Sequence, residues 1–118
     1  ENKTEVNGQP SNNILLTKIA NKVVLKVEAT LPEGYDINNP LHHEKFNYKW
    51  YISLVNQADP HEVTEADKEY AVANGDELTV YWNDKVDYAS FNCIVENELN
   101  GKVTVSEFMA NNIFVDYK

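Results

Sequence analysis

Residues 87–101 read DYASFNCIVENELNG and set Phe91, Cys93 and Val95 on one side, with Asn92, Ile94 and Glu96 on the other. Successive side chains leave a strand on opposite faces, so a period of two marks an extended segment with one face in a core. Such a strand cannot stand alone. Its backbone groups need hydrogen-bonding neighbours, and its apolar face needs a second layer. It ends on Asn100-Gly101, a pair suited to the left-handed torsions of a two-residue hairpin, so residues 102–108 must fold back along it. The chain is therefore bound to a sheet protein before any other element is read.

The remaining segments supply the partners. Residues 22–31 place Val23, Leu25, Val27, Ala29 and Leu31 opposite Val24, Lys26, Glu28 and Thr30. In residues 46–54, Phe46, Tyr48, Trp50, Ile52 and Leu54 share one face, and Asn47, Lys49, Tyr51 and Ser53 the other. Leu78, Val80 and Trp82 alternate with Thr79 and Tyr81. Residues 14–19 read as a short edge strand, and residues 70–73 as a weak strand closed by Asn74-Gly75. Asn111-Asn112 marks a bulge before a last strand at 113–117. Pro32, Gly34, Asn38, Asn39 and Pro40 demand a long loop, Asp59-Pro60 a turn, and the acidic run 62–69 a solvated loop or a single helical turn. Residues 1–13, with Gly8, Pro10 and Ser11, read as a flexible arm or linker, which leaves 14–118 as the domain. Short strands separated by turn residues spell an all-β sandwich.

The order Asp87-x-Ala89-x-Phe91-x-Cys93, followed by Val95, Asn97 and the turn Gly101, resembles the sixth strand of immunoglobulin-like domains. Trp50 falls where that family carries the core tryptophan of its third strand, and Leu78-Thr79-Val80 matches the fifth. The resemblance covers about residues 23–117. It implies an immunoglobulin-like β-sandwich of two antiparallel sheets with about seven to nine strands. It also implies an Asp87 that accepts hydrogen bonds from backbone amides of the corner turn. Two departures stand out. The second-strand cysteine position is Val27, so no disulfide forms, and the corner tyrosine is Phe91. They direct the resemblance to a divergent, disulfide-less branch, of a microbial or phage surface type or else an intracellular muscle type.

At 118 residues the chain has room for one domain. Its net charge of −9 excludes the basic stripe that a nucleic-acid partner requires. No apolar run reaches the length needed to insert in a membrane, and no signal peptide is recognisable. The start on Glu1 rather than Met leads to the expectation of a mature or excised piece of something longer. Cys93 is a single cysteine, so an internal disulfide is excluded.

Catalytic chemistry finds little to work with. His42-His43-Glu44 and His61-Glu62 lack ligand spacing, since adjacent residues of an extended chain point apart, and they read as exposed loop histidines. Asp36, Asp59, Asp84 and Asp87 are too sparse for a calcium site. Cys93 lies on the core face, away from any activating base. With no nucleophile elbow, phosphate loop or paired carboxylates, the expectation is a chain that is not an enzyme and needs no cofactor or metal.

Binding remains. Lys49 and Tyr51 share an outward face with Asn92, Ile94 and Glu96, where an apolar pair with a polar rim has the composition of an interaction site. Lys49, Tyr51 and Ile94 are accordingly the candidate binding residues. The partner would be another protein or a neighbouring domain of the same chain. The plainer alternative is that Ile94 is a good strand former covered by the Lys49 stem. The resemblance implies an adhesive or spacer module at an extracellular, cell or virion surface. A carbohydrate-binding module is the second possibility, with Tyr51 and Tyr81 as outward aromatics, although the resemblance puts their strands in opposite sheets.

Overall fold

A computed structural model describes residues 3–6, 8–11, 13–28, 44–55, 59–99 and 102–117. The strands are β1 (Glu5–Val6), β2 (Gln9–Pro10), β3 (Asn13–Leu16), β4 (Lys22–Lys26), β5 (Glu44–Ser53), β6 (His61–Glu62), β7 (Ala71–Asn74), β8 (Glu77–Tyr81), β9 (Ser90–Leu99) and β10 (Lys102–Val115). Five of them form one sheet in the order β3-β10-β9-β5-β6, and three form the facing sheet in the order β4-β8-β7. The long loop after β4 lies outside the described residues, together with Ala29, Leu31, Asp36, His42 and His43.

β9 is the spine of the larger sheet. It pairs antiparallel with β5 from Glu44↔Leu99 to Ser53↔Ser90, and with β10 on its other side. Phe91 and Cys93 have no exposed surface, and Val95 has almost none. Ile52, Trp50, Ile113, Ile14 and Leu16 join them from the same sheet; Val23, Leu25, Val27, Ala71, Leu78 and Val80 meet them from the other. Fully burying a side chain of the size of Phe91 or Leu25 contributes about 1.5–3 kcal/mol, so this one layer accounts for the sandwich. The register of β9 and β10 shifts between Phe108 and Asn111, where the asparagine pair marks a bulge.

β3 runs parallel to β10, with Ile14 beside Ile113 and Leu16 beside Val115. Every other strand pair in the two main sheets is antiparallel. Parallel pairing lets Ile14 and Leu16 face the core before the turn at 17–21 carries the chain into the opposite sheet as β4.

Part of the stretch read as a loose arm is built into the molecule. β1 and β2 form a hairpin; the Lys3 amide donates to the Lys26 carbonyl at 2.7 Å, and the Lys26 amide donates to Thr4 Oγ1 at 3.0 Å. Thr4 is buried. β4 is an edge strand, and an edge left open presents unpaired backbone groups, which is the physical reason for this cover.

Trp50 stands opposite Cys93 on the neighbouring strand and is 2% exposed. Its indole N–H crosses to the facing sheet and donates to the Gly75 carbonyl at 3.0 Å. Gly75 adopts φ +59° in the β7–β8 turn, a left-handed conformation that glycine reaches without steric cost. Cys93 is a free buried thiol whose pKa burial pushes up to about 11, so it stays protonated and inert at neutral pH.

The 62–69 run is more ordered than a solvated loop. Residues 65–67 form a 3₁₀ turn, and Thr64 Oγ1 accepts from the Ala66 amide at its start. Asp67 is buried and accepts from the Thr64 amide at 2.9 Å and from the Tyr70 hydroxyl at 2.8 Å; its oxygen lies 3.1 Å from His61 Nε2. Burial alone raises the Asp67 pKa, but these hydrogen bonds outweigh it and the net direction is down. The Tyr70 hydroxyl is pushed up to about 12 by burial and by its bond to Asp67. His61, read as an exposed loop residue, is therefore half-buried on the short edge strand β6 and engaged with a carboxylate.

Candidate functional site

Alternation along β5 and β9 fixes what the larger sheet shows to solvent. The core takes Trp50, Ile52, Phe91, Cys93 and Val95, so Lys49, Tyr51, Asn92, Ile94 and Glu96 face outward. Lys49 stands directly opposite Ile94, and Tyr51 opposite Asn92. The Lys49 ammonium reaches diagonally to Glu96 Oε1 at 3.3 Å, and that hydrogen bond raises the lysine pKa. Its aliphatic stem thus starts beside Ile94 and leans away from Tyr51. All five residues are half-buried. The sequence brings these residues to one face, as strand register requires.

The same face carries residues that sequence reading did not single out. Phe114 of β10 is the in-register neighbour of Leu15 on β3, and they are 36% and 57% exposed. Tyr88, 68% exposed, packs its ring against Phe114 in a T-shaped pair with centroids 5.5 Å apart. Tyr88 holds φ +62°, an uncommon conformation for a residue with a side chain and one that costs of order 1–3 kcal/mol. Alternation around Ile113 and Val115 was the available signal for Phe114; the placement of Leu15 required knowing that β3 runs parallel to β10.

Asp87 secures this corner, by a route other than the one expected. Its Oδ1 accepts from the Val115 amide at 2.9 Å and its Oδ2 from the Tyr117 hydroxyl at 3.2 Å. The donors belong to the end of β10 and beyond, not to the corner turn. The position of the missing tyrosine is filled by Phe91, fully buried, and the tie between corner and sheet is made by the aspartate instead. Trp82 adds a second tie, its indole N–H donating to the Asp116 carbonyl at 2.8 Å.

Tyr51 and Tyr81 lie on different sheets, as the resemblance implied, so they form no common stacking platform. Among the described residues no three His, Cys, Asp or Glu side chains gather where they could hold a metal ion, and no helix is long and apolar enough to cross a membrane.

No family model matches the sequence, and no curated protein matches it. The structure is similar to that of murine CRIg, with a TM-score of 0.56 over 98% of this chain and 97% of that one, at 12% identity. At that identity the likeness concerns the fold alone. What the chain shares with its structural neighbour is the immunoglobulin-like β-sandwich.

Proposed function

We propose that this chain is a non-catalytic immunoglobulin-like module that binds a protein, or a neighbouring domain of its own parent chain, through the outer face of its five-stranded sheet. The observation that carries the reading is the composition of that face. Tyr51 and Ile94 lie near its centre beside the Lys49–Glu96 pair, and Leu15, Phe114 and Tyr88 extend it toward the β3 edge. Apolar side chains set among hydrogen-bonding ones match the core and rim of a protein interface better than idle surface. The strained Tyr88 backbone holds an aromatic ring outward at its margin. A module of this kind serves adhesion or spacing in a larger protein at a cell or virion surface, of a divergent disulfide-less type. The core Cys93 has no disulfide partner.

The test is the paired change Tyr51→Ser with Ile94→Thr, assayed against the partner or the adjacent domain. Both positions are surface positions, so the fold should survive with a loss within about 1 kcal/mol. Affinity should fall at least about tenfold, because interface anchors typically contribute 2 kcal/mol or more. Unchanged affinity in the folded double variant would remove this face from the interaction.

A further inference from the structure

A cleft of about 340 Å³ opens between the 17–21 turn and the end of β8, lined by Lys18, Asn21, Glu69, Tyr81 and Trp82. Its walls are fixed by backbone hydrogen bonds. The Trp82 amide donates to the Asn21 carbonyl at 2.6 Å, and the Tyr81 amide to the Tyr70 carbonyl at 2.9 Å. The turn that presents Lys18 and Asn21 is closed by the Thr17 amide on the Ala20 carbonyl and by the Ala20 amide on Thr17 Oγ1. Trp82 is itself immobilised, with its N–H spent on Asp116 and the Tyr117 ring meeting it in a T-shaped contact at 6.1 Å. The cleft is therefore preorganised, which lowers the entropic cost of binding.

The polar groups around it keep hydrogen-bonding capacity to spare. Among the described residues the Asn21 side-chain amide makes no hydrogen bond, and the Lys18 ammonium pairs with no carboxylate; it sits 5.7 Å from the centre of the Trp82 ring. Glu69 has one loose ion pair, with Lys85 at 4.0 Å. Two aromatic rings thus stand among a free amide, an ammonium and a carboxylate. That combination offers an apolar surface together with donors and acceptors of both kinds.

We infer that this cleft binds a neutral pyranose, such as one residue of an uncharged glycan. A sugar ring has one face of C–H groups suited to Tyr81 and an equatorial rim of hydroxyls suited to Asn21, Glu69 and Lys18. The volume lies at the lower end for small-molecule sites, which fits a single ring. The Glu69 carboxylate within the cleft and the net charge of −9 repel polyanions. The site shares no residue with the protein-binding face: it is built from the 17–21 turn, the 68–70 turn and the end of β8.

The experiment titrates the methyl glycosides of glucose, galactose and mannose into the ¹⁵N-labelled protein and follows the amide and indole signals. Saturable shifts are expected at the Trp82 indole and the Asn21 side-chain amide, while the Trp50 indole, buried and bonded to Gly75, stays in place. Weak affinity in the millimolar range is expected for so open a site. Tyr81→Ala should weaken binding about tenfold or more, and Asn21→Ala should weaken it as well, with an unmoved Trp50 indole showing that each variant is folded. Absence of saturable shifts with all three glycosides would overturn the proposal. So would shifts that centre on Tyr51 and Ile94, binding that survives Tyr81→Ala, or a response to sialic acid alone.

Discussion

Truncating Asp87 to alanine should destabilise the domain by about 2 kcal/mol, while Asp87→Asn should cost less than half as much. The figure follows from what the carboxylate holds. Val115 is 8% exposed and donates its amide to Asp87 Oδ1 at 2.9 Å, so alanine leaves a buried N–H without its acceptor. Loss of a hydrogen bond to a charged group ranges over about 1.5–3 kcal/mol, and water at this partly open corner recovers some of it. Asparagine keeps a carbonyl oxygen in the Oδ1 position and can turn its amide toward the Tyr117 oxygen, so the geometry survives the loss of charge. Urea unfolding followed by tryptophan fluorescence reads the difference. With a slope of about 1–3 kcal/mol per molar urea, the alanine variant should lose roughly 1 M in its midpoint, with the slope unchanged. An alanine variant that unfolds at the wild-type midpoint would refute the claim that Asp87 ties the corner. Equal losses in both variants would mean that charge, not hydrogen-bond geometry, is what the corner uses.

Trp50→Ala should cost about 3–5 kcal/mol and leave little folded protein at room temperature, since the largest core side chain and its bond to the facing sheet are both lost; a near-native urea midpoint would show that Trp50 does not bridge the sheets. The lowered Asp67 pKa means that the unfolded chain binds the proton more readily than the folded one. Its contribution is therefore present above the ordinary carboxylate pKa near 3.8 and is lost as pH falls through the depressed folded value. Tyr70 works in the opposite direction: its folded pKa is raised, so its contribution is complete below the ordinary value of 10.0 and is lost as pH rises toward about 12. Stability measured by urea melts across pH should fall on both sides, and Asp67→Asn should flatten the acid limb; an unchanged acid limb would contradict the linkage.

How much of this was legible depends on whether one strand's own pattern carried the information. The faces of β5 and β9 follow from alternation alone, because Trp50, Phe91 and Cys93 each announce their side every second residue. The core position of Val27 and the outward set at Lys49, Tyr51 and Ile94 came from the same source. Features set by contacts distant in sequence were hidden. Nothing in Lys3 or Thr4 says that the backbone of Lys26 will bond to them. Asp67 looked like one more charge in an acidic run, although the spacing Thr64-x-x-Asp67 is that of a capping box and could have flagged the turn. The cleft joins residues from the 17–21 turn, the 68–70 turn and the end of β8, and no local period reports such a meeting. Asp87 was singled out through the resemblance, but its donors, Val115 at the end of β10 and Tyr117 just beyond it, are 28 and 30 residues away.

The central claim is that β4 and β9 face each other across an immunoglobulin-like core whose disulfide positions are taken by Val27 and Cys93. The variant Val27→Cys measures it directly. If the claim holds, the two Cα atoms lie about 5–7 Å apart, and oxidation of the folded variant forms an internal bridge. The thiol titration then finds no free thiol, and stability rises by roughly 2–4 kcal/mol if strain is small. Two free thiols after oxidation of the folded variant, with an unshifted melting temperature, would contradict the assignment of both strands.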